Sequence, residues 1–122
     1  MRYDLQKQLR SFGYAWKGIR GCIGKEQNLS FHLLAACAAV LAGCLFRITT
    51  LEWAVIVLCI GLVIAAELFN TAIERLTDLA SPGRHPLAGQ AKDIAAGAVL
   101  VCAVAALGAG LFIFLPYVLR LF

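Results

Sequence analysis

Charge is scarce in this chain. Only 15% of its 122 residues are Asp, Glu, Lys or Arg, against 61% hydrophobic. That balance excludes an ordinary water-soluble domain, because a small domain keeps much of its surface in water and cannot hide so many apolar side chains. Nucleotide-binding signatures are missing too. There is no G-x-x-x-x-G-K-S/T loop and no H-R-D or D-F-G triplet, which removes P-loop and protein-kinase chemistry. Five cysteines are present, none in a C-x-x-C pair, and Cys37, Cys44, Cys59 and Cys102 fall inside apolar runs. They read as small packing residues, so neither a zinc site nor a disulfide framework is expected. No basic–aromatic array accompanies the net charge of +4, so nucleic acid is not an expected partner. Low-complexity segments and internal repeats are lacking as well.

What the chain has instead is three apolar runs, at residues 29–46, 51–69 and 94–119. Each is near or above the roughly 18–20 residues that a membrane-spanning helix needs. The segment 1–28 does not read as a secretory signal, since cations are spread along it and no compact apolar core precedes a cleavage site. Leu5, Leu9, Phe12, Trp16 and Ile19 recur there at helical spacing among Lys7, Arg10, Lys17 and Arg20. This predicts an amphipathic helix lying on a membrane surface, its cations toward anionic headgroups. The expected architecture of residues 1–122 is one all-α integral membrane domain: a surface helix and three transmembrane helices. Apart from Arg47 and Arg120, all Lys and Arg lie in the N-terminal segment or the 70–93 connection. By the positive-inside rule the N-terminus and that connection face the cytoplasm and the C-terminus lies outside. The expected location is a membrane with the cytoplasm on its N-terminal side.

Local signals mark the helix ends. Thr49 and Glu52 fit a capping box after the short link 47–50, which gives Glu52 a structural role, and Trp53 stands at an interfacial depth. The second span is expected to continue to about Ala80, where Ser81-Pro82-Gly83-Arg84-His85-Pro86 breaks it. Pro86 suits the first turn of the next helix. The pairs Ala38/Ala42, Ala39/Gly43, Ala105/Ala109 and Ala106/Gly110 permit close helix contact. Three thin helices enclose little volume, so a homo-oligomer is expected.

The chemistry concentrates at the end of the second run. Glu67, Asn70, Glu74 and Asp78 sit at offsets 0, 3, 7 and 11, which stay within roughly 80° of one another on a helix turning about 100° per residue. Carboxylates at or near hydrocarbon are costly and are functional candidates by default. Magnesium (Mg2+) often takes one or two carboxylates plus phosphate oxygens and water. Glu74, in the headgroup layer, and Glu26, at the same depth ahead of the first span, are candidate ligands. Lys92 can neutralise phosphate as a point cation. Glu67 lies about two turns deeper, where a lipid alcohol places its hydroxyl, and is the candidate general base. Asn70 either orients that hydroxyl or holds Glu67. The set points to phosphoryl transfer onto a lipid hydroxyl, which depends mainly on positioning and charge stabilisation. Plainer roles exist: Asp78 as a solvated acid, Lys92-Asp93 as a local ion pair, His32 as a donor to one neighbour. A proton-coupled transporter would need its acid near mid-bilayer, whereas these acids cluster at one end. A non-catalytic scaffold gives no reason for Lys92-Asp93 opposite the stripe.

These residues resemble the prokaryotic diacylglycerol kinase family, and within it the undecaprenol kinase branch. The match is carried by Tyr14-Ala15-Trp16-Lys17-Gly18, by Glu26 with Asn28 and His32, by Leu51-Glu52-Trp53, by Glu67-Leu68-Phe69-Asn70-Thr71-Ala72-Ile73-Glu74 with Asp78, by His85-Pro86-Leu87-Ala88, and by the run from Ala91-Lys92-Asp93 to Val99. The resemblance implies a homotrimer with active sites shared between subunits, transferring the γ-phosphate of ATP, with magnesium, to a lipid alcohol. It implies Glu67 as general base and Glu26 and Glu74 as the metal–nucleotide carboxylates. Tyr14, Lys17, Gly83, His85, Lys92 and Asp93 would contact nucleotide, and Asn28, His32, Trp53, Glu67, Asn70 and Ala96 the lipid. Undecaprenol is the expected acceptor and diacylglycerol the alternative. One departure is Gln27, where relatives usually carry a basic residue; this removes support for a phosphate contact there.

Overall fold

The computed structural model describes residues 2–122, so the first residue of the 1–28 segment lies outside the described residues. Four helices follow one another: α1 (Leu5–Cys22), α2 (Gln27–Phe46), α3 (Thr50–Ala80) and α4 (Pro86–Leu119). The last three, of 20, 31 and 34 residues, are long and apolar enough to cross a membrane.

Short-range chemistry sets the helix ends. Asp4 caps α1 by accepting the Lys7 N–H at 3.2 Å. Gly24, at φ 81°, turns the chain from α1 to α2 through a conformation that costs glycine little. Arg47 closes α2 in the left-handed region at φ 53°. The Thr49 hydroxyl accepts the Glu52 N–H at 3.2 Å and the Glu52 carboxylate accepts the Thr49 N–H at 2.9 Å, so both halves of the expected capping box are present. α3 runs to Ala80 as expected. Pro86 opens α4 at its first turn, and the His85 Nδ1 accepts the Leu87 N–H at 3.1 Å to cap it.

Side-chain ties fix how the helices run. Asp78 pairs with Lys92 at one end of α3 and α4, and Tyr117 donates to Glu52 at the other, so these two helices lie antiparallel along their length. Likewise His32 meets Glu67 at one end of α2 and α3, and Gly43 meets Trp53 at the other. The result is an up-down-up bundle with α1 beside its Glu67 end. α3 is about 46 Å long at 1.5 Å per residue, so it reaches well beyond a hydrocarbon layer of about 30 Å.

The apolar core sits at the end away from Glu67. Ile48, Ile56 and Ile113 are buried there, with Phe46, Trp53, Phe114 and Tyr117 packed on them. Elsewhere large apolar side chains face outward: Leu62 is 61%, Leu100 64% and Phe112 85% exposed. Water would oppose that arrangement on every helix face, whereas lipid accepts it.

Candidate active site

Where α2 and α3 meet near α1, polar side chains replace apolar ones. Glu67, Asn70 and Thr71 are the buried polar residues of the bundle, at 2%, 8% and 3% exposure. They lie on one face of α3 because their spacing follows the helical repeat. Across from them, α2 brings His32 to 3.2 Å from the Glu67 carboxylate, Nε2 to Oε1. The two atoms are within reach but out of line: Glu67 Oε1 makes no aligned hydrogen bond, and neither does the buried Asn70 Oδ1.

One turn toward the helix end, the Asn70 amide donates to Glu74 Oε1 at 3.2 Å. Of the two tasks expected of Asn70, holding Glu67 is therefore not what its amide does; its donor is committed to Glu74. Glu26, the residue before α2, faces Arg75 of α3 at 3.7 Å. The Asn70 and Arg75 contacts keep Glu74 and Glu26 at the end of the bundle where Glu67 meets His32. The three expected carboxylates thus converge at one end of the bundle. Arg75 is an addition that sequence reasoning missed. Its signal was its place between Glu74 and the α3 end, but nothing local says that it turns toward α2.

Further along, Asp78 and Lys92 form an ion pair bridging α3 and α4. The paired carboxylate makes Asp78 a partner of the expected phosphate cation, beyond the solvated acid its position suggested. Beside the pair opens a cavity of about 670 Å³ under the 81–86 turn, lined by Gly83, Arg84, His85 and Lys92 among others. Three of the expected nucleotide contacts therefore share one cavity, and Arg84, between Gly83 and His85 in the same turn, lines it with them. Asp93 is exposed and stands outside that lining, as do Tyr14 and Lys17 on the exposed face of α1.

A second cavity, of about 570 Å³, runs between α2, α3 and α4 and is almost wholly apolar. It begins at Phe31 and His32, passes Ala35, Ala39, Val63 and Ala106, and ends near Phe114. Its polar mouth is the imidazole that touches Glu67. Ala96 is exposed on α4 one turn inward of Lys92, level with Glu74, and Asn28 is exposed in the first turn of α2. Trp53 does not join this cluster. It lies 14 residues from Glu67 on α3, about 21 Å along the axis, and its ring packs on Gly43 and the core.

No group of three or more His, Cys, Asp or Glu side chains able to hold a metal ion is found among the described residues. Magnesium does not require such a cage, since nucleotide phosphates and water commonly complete its oxygen shell. Glu26, just before α2, and Glu74 of α3 offer hard oxygen donors at one end of the bundle, and this donor set fits magnesium carried in with a nucleotide.

Comparison with known proteins places this arrangement. A profile described as prokaryotic diacylglycerol kinase matches residues 13–114. The chain is 46% identical over 115 residues to an undecaprenol kinase of Bacillus subtilis, covering 94% of each protein. It is 40% identical over 114 residues to a diacylglycerol kinase of Synechocystis, covering 93% of this chain and 65% of that one. A diacylglycerol kinase of Escherichia coli is 30% identical over 98 residues, 80% of each.

Proposed function

We infer the reaction from one premise: the chain belongs to the prokaryotic diacylglycerol kinase family. It is a lipid kinase, a phosphotransferase with an alcohol acceptor, and three of its helices could cross a membrane. Our reading is that it carries the γ-phosphate of ATP to the hydroxyl of undecaprenol. The observation that carries this reading is the buried Glu67 set 3.2 Å from His32, the imidazole at the mouth of the apolar cavity. On α2 the cavity lining extends from Phe31 to Ala42, about 17 Å at helical rise, and its small alanines leave room for a chain to lie along the helix. A single methyl-branched isoprenoid chain suits that shape. The higher identity to an undecaprenol kinase than to the two diacylglycerol kinases supports the same acceptor.

In this reading Glu67 accepts the proton of the lipid hydroxyl as its oxygen bonds to the γ-phosphorus. The bond from phosphorus to the β–γ bridging oxygen breaks, and ADP leaves. Asn70, with Oδ1 buried and unpaired, orients the hydroxyl, while its amide fixes Glu74. Glu26 and Glu74 would hold magnesium, which when bound spreads the charge of the phosphate oxygens. Lys92, His85 and the Gly83 turn receive the nucleotide in the cavity they share, and Tyr14, Lys17 and Asp93 approach it from its rim. Asn28 and Ala96 flank the route by which the lipid head arrives. Trp53 meets the far part of the chain.

The helix α1 lies on the cytoplasmic membrane surface, supported by the exposed Leu5, Leu9, Phe12 and Trp16 at helical spacing. The N-terminus is then cytoplasmic and the C-terminus outside. Homotrimerisation closes the open sides of the bundle and lets neighbouring subunits share sites. The acceptor is tested by supplying the purified protein in mixed micelles with ATP, magnesium and either undecaprenol or diacylglycerol. Labelled undecaprenyl phosphate should form at least ten times faster than phosphatidic acid. The reverse preference would reassign the acceptor, and no product from either lipid would remove the kinase reading.

A further inference from the structure

A carboxylate shut away from water needs a donor close to it. The Glu67 side chain is 3% exposed, and the obvious donors around it are engaged elsewhere. The Asn70 amide goes to Glu74, Arg75 pairs with Glu26, and Lys92 pairs with Asp78. What remains within reach is the imidazole of His32, with Nε2 at 3.2 Å from Oε1. It comes from a different helix, so its position relative to Glu67 is set by packing of α2 on α3. The Phe31 ring stands edge-on to it, 5.5 Å between centroids at 74°, and limits where the imidazole can swing. The same imidazole lines the mouth of the apolar cavity.

We propose that His32 is the positioning residue for Glu67: its Nε2–H donates to Oε1, so that the other carboxylate oxygen is presented to the lipid hydroxyl at the cavity mouth. This rests on the reading of Glu67 as the base. The tautomer follows from the geometry, since Nε2 must carry the proton to donate. Donor and acceptor are near but out of line here, and catalytic hydrogen bonds of this kind commonly tighten only when substrate is bound. His32 does not touch the reacting phosphorus; it decides where the base points.

The test compares wild type, His32→Leu and His32→Gln in the undecaprenol assay, with thermal unfolding of each followed by circular dichroism. Leucine keeps apolar bulk but cannot donate, whereas the glutamine amide can. His32→Leu should lower kcat about 100-fold, the scale of a base displaced by about 1 Å, with the KM for ATP within about twofold of wild type. His32→Gln should recover at least about tenfold of that loss. The proposal is overturned if His32→Leu keeps kcat within about twofold of wild type, or if kcat and the KM for ATP deteriorate together in both variants. Should His32→Leu fail to fold, a folded His32→Gln no better than about one-hundredth of wild type also overturns it. An inactive wild type would instead count against the kinase reading, so the two failures are distinct.

Discussion

Burial sorts the acids of the α3 stripe into different surroundings. Glu67 is almost fully enclosed, Glu74 is half-buried and held by the Asn70 amide, and Asp78 is exposed and paired with Lys92. Glu74→Gln should therefore raise the KM for magnesium–ATP by about tenfold or more, as expected when a charged ligand is lost, and isothermal titration with the nucleotide complex checks it. The Asp78–Lys92 pair is solvent-exposed, and such pairs contribute about 1 kcal/mol at most. Asp78→Asn should accordingly leave the melting temperature within about 3 °C of wild type. Lys92→Ala should do the same to stability but raise the KM for ATP by about tenfold. A large loss of stability in either variant would show that the pair holds the hairpin together, against this reading. The stripe itself was legible in the sequence because helical periodicity is local. The contacts His32–Glu67 and Arg75–Glu26 were not, because both depend on how α2 is rotated against α3, and no spacing within one helix encodes that.

Helix boundaries were the most readable feature of the elements, for a physical reason: caps and breakers act within a few residues. Thr49 with Glu52 starts α3, and Ser81 to Pro86 separates α3 from α4. Local spacing assigns Glu52 only its cap, yet the same carboxylate also accepts the Tyr117 hydroxyl, and Arg120 lies 5.5 Å from that ring. Cross-helix ties of this sort escape pattern reading. So did the partner of Gly43, which was expected only to allow close helix contact. A Cβ there would stand 2.7 Å from Trp53 Cη2 and 2.9 Å from Cζ2, so the indole takes the space a side chain would need. Gly43→Ala should destabilise the bundle by about 1–3 kcal/mol, the range for overpacking, read as a lower melting temperature in detergent. Because the indole is far from Glu67, the KM for ATP should stay unchanged. Unchanged stability would mean that the ring moves aside freely.

At the scale of the whole molecule, three helices long and apolar enough to cross a membrane could be read from composition and run length, since so apolar a short chain has few other homes. The two cavities could not, because each is formed by three helices or by a helix pair and its turn. Their placement explains how one small bundle serves two unlike substrates. In the proposed reading nucleotide is met outside the hydrocarbon, lipid within it, and the acids of α3 stand between. If neighbouring subunits complete each other's sites, mixing Glu67→Gln chains with Lys92→Ala chains before reassembly should, at ATP well below the raised KM of Lys92→Ala, restore lipid phosphorylation above that of either parent. Mixtures no more active than either parent would indicate sites confined to one chain.

The central claim is that Glu67 acts on the lipid hydroxyl while nucleotide is held by other groups. It is tested most directly by following transfer of labelled γ-phosphate to undecaprenol by wild type and Glu67→Gln, alongside equilibrium binding of magnesium–ATP to each. The account predicts labelled undecaprenyl phosphate from wild type. For Glu67→Gln it predicts a rate at least about 100-fold lower, with nucleotide affinity within about twofold of wild type. A Glu67→Gln protein that phosphorylates undecaprenol at the wild-type rate, or that no longer binds nucleotide, would contradict it.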